Sequence, residues 1–279
     1  MALATTVRDR LLWEAGVATE HDLATPLGTL HYVRQGNGPA LVALHGMAAS
    51  SWSWSRSLPL LATRFDVYAP DLLGHGQSEA RRDAVSVEHH AAAVSALLRS
   101  AGIERCILAG AALGAMVALE TALLEPERVA AALLLGVPNF RSPADRSAWL
   151  ASRAAGFVDA QGLGIPMGEP AVRERYKTFT PSLVDELNAE RARAGLWALH
   201  DVWAIAAYDA QASAARLSQP AAFCWGSHDP FLSGKEGLVS AAPAATHVVL
   251  DGAGHYPAWD APEATLELAL QVAAAGKLL

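Results

Sequence analysis

Cysteine is almost missing from this chain. Its 279 residues hold two, Cys106 and Cys224, so a disulfide framework is excluded, and there is no Cys-x-x-Cys metal or redox motif. Both fall in apolar runs and read as inert buried thiols, which suits a reducing compartment. Positive charge is also short. Lys and Arg number 21 against 28 Asp and Glu, a net charge of −7. That excludes a general affinity for phosphate backbones, which needs a basic face. The only adjacent basic pair of note, Arg81-Arg82, is followed at once by Asp83. Charged residues make up 18% of the chain and hydrophobic ones 52%, so a sizeable core is affordable in composition and disorder is excluded. Long hydrophobic runs are absent as well. The longest uncharged apolar stretch, Cys106 to Leu119, is about 14 residues, where a membrane span needs roughly 20. Arg8, Asp9, Arg10 and Glu14 interrupt the N-terminal apolar residues, so no secretory signal is expected. The expectation is a cytoplasmic protein, monomer or homodimer, with no nucleic-acid or membrane partner.

What is present has a rhythm. Short apolar runs rich in strand formers occur at 28–34, 40–44, 65–69, 105–109 and 129–137. Helical stretches lie between them, one capped by Ser86 and running to Arg99, another over 115–124. Continuous apolar strands alternating with helices predict a parallel sheet covered on both faces. From 138 to 217 the rhythm changes and helices dominate. Ser142 reads as a cap before Pro143, Thr180-Pro181 as a cap and first helical position, and 196–208 as a helix carrying Trp197, Trp203 and Tyr208. Strands return at 221–225 and 246–250, and a closing helix opens near Asp260. Residues 1–24 read as a short helical prefix around 7–15, with Trp13 available to pack. The organisation expected is one sheet domain, 1–137 and 218–279, interrupted by a helical insertion, 138–217.

The chemistry should sit where a strand turns sharply into a helix, because a crowded backbone there exposes a nucleophile. Gly110-Ala111-Ala112-Leu113-Gly114 is such a turn. Its glycine spacing is right, but the middle position holds alanine. Asp229, in Gly226-Ser227-His228-Asp229, follows an apolar run, and His255, in Gly252-Ala253-Gly254-His255, follows the next one. An aspartate that orients a histidine and a histidine that moves a proton are the working pair of a hydrolytic triad. His45-Gly46-Met47 also ends a strand, where it can offer a backbone N–H to an oxyanion.

These pieces resemble the α/β-hydrolase superfamily, in the group with an HG oxyanion motif and a helical cap. The matching stretches are Leu44-His45-Gly46-Met47, the loop from Asp71 to Ser78, Gly110–Gly114, Pro126-Glu127-Arg128-Val129, Trp225 to Asp229 and Gly254-His255. They cover the chain from about residue 25 to 275. The resemblance implies a mostly parallel eight-stranded sheet with helices on both faces and a helical cap at 138–217. It places Ala112 at the nucleophile position, Asp229 as the acid and His255 as the base, and makes the Met47 and Leu113 N–H groups the oxyanion hole. It gives His45, Asp71 and His75 roles in loop architecture. Aspartate at the elbow, as in haloalkane dehalogenases and epoxide hydrolases, is not found here.

Alanine at 112 has no hydroxyl and cannot form an acyl-enzyme. Three explanations stand open: serine replaced by alanine to trap a ligand; a natural alanine with His255 and Asp229 acting without a serine, as in a C–C lyase or cofactor-free oxygenase; or a catalytically dead small-ligand receptor. Ser50, Ser51, Ser53 and Ser55 read as helix-start and loop serines, and Cys106 lies below the turn. No metal is expected: His89-His90 are helix neighbours that point to different sides, and no HExxH occurs. No dinucleotide fingerprint and no cofactor are expected either. The aromatic content of the insertion predicts a partly aromatic pocket, with Met47 and Phe140, and also Trp149, Trp203 and Tyr208, as its lining. No convergent arginine pair is visible in the sequence. The expected substrate is therefore an uncharged, moderately hydrophobic ester, lactone, thioester or amide.

Overall fold

The computed structural model describes residues 18–79 and 85–279. The helix expected at 7–15 and the Arg81-Arg82 pair lie outside them. Eight strands form one sheet: β1 (Thr19–Thr25), β2 (Gly28–Gly36), β3 (Ala40–Leu44), β4 (Asp66–Pro70), β5 (Cys106–Ala111), β6 (Val129–Leu135), β7 (Ala221–Gly226) and β8 (Thr246–Leu250). Their spatial order is β1-β2-β4-β3-β5-β6-β7-β8. β2 runs antiparallel to both β1 and β4, and the rest pair in parallel. β3 to β7 are buried almost throughout, as strands covered on both faces must be.

The helices divide between the faces. Those of the core are α1 (Leu58–Leu61), α2 (Val87–Ser100) and α3 (Leu113–Leu124), then, past the insertion, α9 (Lys235–Ala241), α10 (Pro257–Asp260) and α11 (Pro262–Ala275). α2 and α3 bury Val94, Leu97, Met116 and Leu119 against one face, together with Leu44, Leu108 and Leu134 of the sheet. On the other face Leu58, Leu61, Leu268 and Val272 close over Leu41, Ile107 and Leu133. Between β6 and β7 come five helices: α4 (Pro143–Gly156), α5 (Glu169–Arg175), α6 (Leu183–Ala194), α7 (Leu196–Ala207) and α8 (Ala210–Ala214). Ser142 caps α4 by accepting the Asp145 N–H at 3.1 Å, as its sequence predicts.

Three expectations fail. β1 at 19–25 overlaps the end of the 1–24 stretch, where no strand is expected; it is a polar edge strand whose Thr19-Glu20-His21-Asp22 run gives no apolar signal. α6 begins at Leu183 rather than at Pro181, because Thr180 to Leu183 forms a turn, the Leu183 N–H meeting the Thr180 carbonyl at 3.1 Å. The helix expected over 53–62 is two short pieces, a 3-10 turn at Ser51–Trp54 and α1. Among the described residues no helix is long and apolar enough to cross a membrane.

Candidate active site

The elbow forms because two glycines let backbones touch. A side-chain carbon at Gly110 would lie 2.1 Å from the Gly114 carbonyl oxygen, and one at Gly114 2.2 Å from that of Leu44. Ala112, between β5 and α3, takes φ 52 and ψ −116. An alanine pays steric strain of about 1–3 kcal/mol in such a region. The Ala112 N–H donates to the Leu135 carbonyl at 2.8 Å, which ties the turn to β6. Leu113 opens α3, where the first N–H groups have no acceptor inside the helix and point at an incoming anion. Across from it, a side chain at Gly46 would come 3.3 Å from the Ala112 Cβ and 3.0 Å from the Tyr256 ring. A larger residue at 46 would crowd the space between the Met47 loop, Tyr256 and residue 112.

Asp229 and His255 stand at the ends of β7 and β8 and meet. The His255 Nδ1–H donates to Asp229 Oδ1 at 3.0 Å, and the Phe231 N–H donates to the same oxygen at 2.8 Å. Both side chains are buried. A carboxylate can only accept, so Nδ1 holds the proton, and in the neutral ring Nε2 is the nitrogen left free to accept one. Gly136, at φ +59, is a residue that sequence reasoning missed. A Cβ there would sit 2.6 Å from the His255 carbonyl oxygen and 2.9 Å from Asp229 Oδ2. His45 braces the loop as expected: its Nδ1–H donates to the Gly46 carbonyl at 2.7 Å, and its Nε2 accepts from the Leu72 N–H at 2.8 Å. Burial, then the nearby His75, lowers its pKa to about 4 and keeps it neutral. Asp71 accepts the Ser51 and Gln77 N–H groups at 2.7 and 2.8 Å, again a loop function.

Ala112 and His255 face one cavity. Met47 and Trp149 line it, as the sequence predicts, together with Phe157, Tyr176, Phe231 and Tyr256. Three other expectations are corrected. Phe140 packs on Trp149 and Phe231, with ring centres 5.4 and 5.7 Å away, and does not itself line the cavity. Trp203 is half exposed, because the buried stripe of α7 runs through Ala198, Asp201, Val202 and Ile205 and leaves it outside. Tyr208 is buried elsewhere and donates to Glu120 Oε2 at 3.0 Å. The cavity also carries Arg153, Arg175 and Arg191, against the expectation that no arginines converge. Each lies in the last turn of a different helix, where a basic residue reads as a complement to the helix dipole.

A sharp strand-to-helix turn, an aspartate and a histidine in this chain order, at the strand ends of one sheet, are the arrangement of a hydrolase scaffold. A family profile described as the alpha/beta hydrolase fold matches residues 39–262, and the chain belongs to that family. An epoxide hydrolase of Caballeronia sordidicola is 33% identical over 147 residues, which is 52% of this chain and 44% of that protein. The pimeloyl-[acyl-carrier protein] methyl ester esterase of Xanthomonas campestris pv. campestris is 26% identical over 243 residues, 80% of this chain and 90% of the esterase. The enol-lactonase structure from Burkholderia xenovorans LB400 superposes with a TM-score of 0.77 at 20% identity, over 91% of this chain and 100% of that one. The chain spans about half the length of the first curated relatives it matches.

Proposed function

We propose that this is the site of a serine-type hydrolase of small, moderately hydrophobic esters, lactones, thioesters or amides, with Ala112 standing where the attacking serine acts. As given, the chain binds substrate and does not turn it over. With serine at 112, His255 Nε2 takes the hydroxyl proton while Asp229 holds the ring. The serine oxygen adds to the carbonyl, and the Met47 and Leu113 N–H groups receive the oxyanion. The proton passes from His255 to the leaving group, and the acyl-serine remains. His255 then draws a proton from water, whose oxygen releases the acid and restores the serine. Helices α4 to α8 act as a cap that closes the cavity, and we place the reaction in the cytoplasm.

The observation that carries this reading is His255, paired with Asp229 at 3.0 Å and sharing a cavity with an elbow residue held at φ 52. The methyl ester esterase relative, aligned over most of both chains, supports carbonyl hydrolysis. The test compares this chain with its Ala112→Ser variant on short and aromatic esters, lactones and thioesters, with a fluorophosphonate as site label. The expected result is labelling of the serine form alone, with a turnover gap of about 10⁴-fold or more. A folded serine form that neither labels nor hydrolyses would overturn it. His255→Ala then separates serine-free catalysis from binding alone.

A further inference from the structure

Arg153, Arg175 and Arg191 come from the C-terminal turns of α4, α5 and α6 to one wall of the catalytic cavity. The same three line a second cavity among the insertion's helices, sharing Phe157 and Met167 with the first. They differ from the arginines around them. Arg141, Arg173 and Arg193 of the insertion each hold a carboxylate, those of Asp145, Glu169 and Glu190. Among the described residues no carboxylate pairs with Arg153, Arg175 or Arg191.

Their side chains are engaged to different degrees. Arg191 is occupied by the backbone: it donates to the carbonyls of Ile165, Gly156 and Phe157 and lies 3.5 Å over the Phe157 ring. Arg175 Nη1 donates to the Ala171 carbonyl at 2.7 Å and to the Met167 sulfur at 3.8 Å, and Nε and Nη2 make no hydrogen bond among the described residues. Arg153 makes none there at all. Burial, then the charge of Arg175, lowers the pKa of Arg153. Burial, then Arg175 and Arg153, pushes that of Arg191 down to about 10. Arg191 is buried and Arg153 and Arg175 are partly buried; three like charges gathered beside one cavity repel one another, and an anion among them relieves that repulsion. The cluster is also tied to the reacting centre, because the Arg175 carbonyl accepts the His255 N–H at 2.8 Å.

We propose that Arg153 and Arg175 bind an oxyanionic group, carboxylate or phosphate, at the end of the substrate remote from the bond placed at residue 112. The planar guanidinium fork suits either group. Trp149, Phe157 and Phe231 take the short apolar linker between that end and the carbonyl. The substrate is thus an amphiphile, and the uncharged compound expected from sequence is replaced by one with an anionic end. Only the placement of the carbonyl rests on the hydrolase reading.

Binding needs no nucleophile, so the chain is tested as it stands. Calorimetry would compare monomethyl glutarate, neutral dimethyl glutarate and a methyl ester of similar length ending in phosphate, at low and moderate salt. The anionic esters are expected to bind about tenfold or more tighter than the neutral one, with the gap narrowing as salt rises. Arg153→Gln should weaken them by about 10- to 100-fold and leave the neutral ester unchanged. Arg175→Lys keeps the charge, loses the fork and should weaken them less. Whether carboxylate or phosphate binds tighter identifies the group. Equal binding of charged and neutral esters, or anionic binding indifferent to both substitutions, would overturn the proposal. Retained anion binding with an inert Ala112→Ser form would instead sink the hydrolase reading and leave the anion site standing.

Discussion

Asp201 is the place to perturb the join between the insertion and the core. It lies on α7 and is fully buried between two core histidines. Its Oδ2 is 2.9 Å from His75 Nε2 and its Oδ1 is 3.2 Å from His90 Nε2. His75 Nδ1 faces the Leu73 carbonyl at 3.2 Å and its Nε2 faces the Asp201 carboxylate without a well-aligned hydrogen bond, surroundings that favour a positive charge on the ring. Burial opposes that charge, but the Asp201 carboxylate outweighs it and the His75 pKa is raised. Burial likewise opposes ionisation of Asp201, and the two histidines outweigh it, leaving its carboxyl well below the usual range. Asp201→Ala leaves a buried histidine without its counter-charge, a loss of about 3–5 kcal/mol. At about 2 °C per kcal/mol for a chain of this size, the expected Tm drop is roughly 6–10 °C. The pH dependence has a definite sign. A raised histidine pKa stabilises fully below its unfolded value of 6.5 and is lost as pH rises through the folded value. A depressed aspartate pKa stabilises above 3.8 and is lost as pH falls through its folded value. His45 acts in the opposite sense, because a folded value near 4 costs stability as pH drops below 6.5. Tm measured from pH 5 to 9 should therefore lose its alkaline decline in Asp201→Asn while keeping the His45 slope. A variant within about 1 kcal/mol of the parent, with an unchanged alkaline limb, would refute the reasoning.

Three further outcomes can be checked. Gly136→Ala forces a methyl group against the His255 carbonyl and Asp229 at φ +59; in the Ala112→Ser background, where misplacement of about 1 Å costs roughly 100-fold, kcat should fall by that order. Burial pushes the Cys106 and Cys224 thiols up to about 12, so a thiol reagent at neutral pH should label neither until denaturant is added. Trp203→Ala should leave ester binding unchanged and stability within about 0.5 kcal/mol, whereas Trp149→Ala should weaken binding in the same calorimetric assay.

The parts legible in the sequence were those written locally. The buried strands announce themselves as continuous apolar runs, and the Gly110–Gly114 spacing encodes a close approach that glycine alone permits. Asp229 and His255 follow two such strands, so the sheet brings them together whatever the insertion does. Edge strand β1 was hidden because half its residues face water and carry no apolar period. The arginine cluster was hidden for another reason. Residues 153, 175 and 191 each look like an ordinary helix-end cation, and their convergence depends on how three helices are set against one another. The same dependence defeated the choice among aromatics, since Trp149 and Trp203 differ only in which side of a helix the rest of the protein occupies.

The end of α5 and the chain just after it hold the loop that carries His255. Besides the Arg175 carbonyl on the His255 N–H, the Asp260 carboxylate accepts the Thr178 N–H at 2.7 Å and the Gly254 N–H at 2.8 Å. The insertion therefore cannot be treated as an interchangeable specificity module. A graft joined at residues 138 and 217 would bring a new pocket wall and remove one of the supports of His255. Recombination between family members would have to carry residues 175–178 along with the recipient's own C-terminal loop, as a single inherited unit.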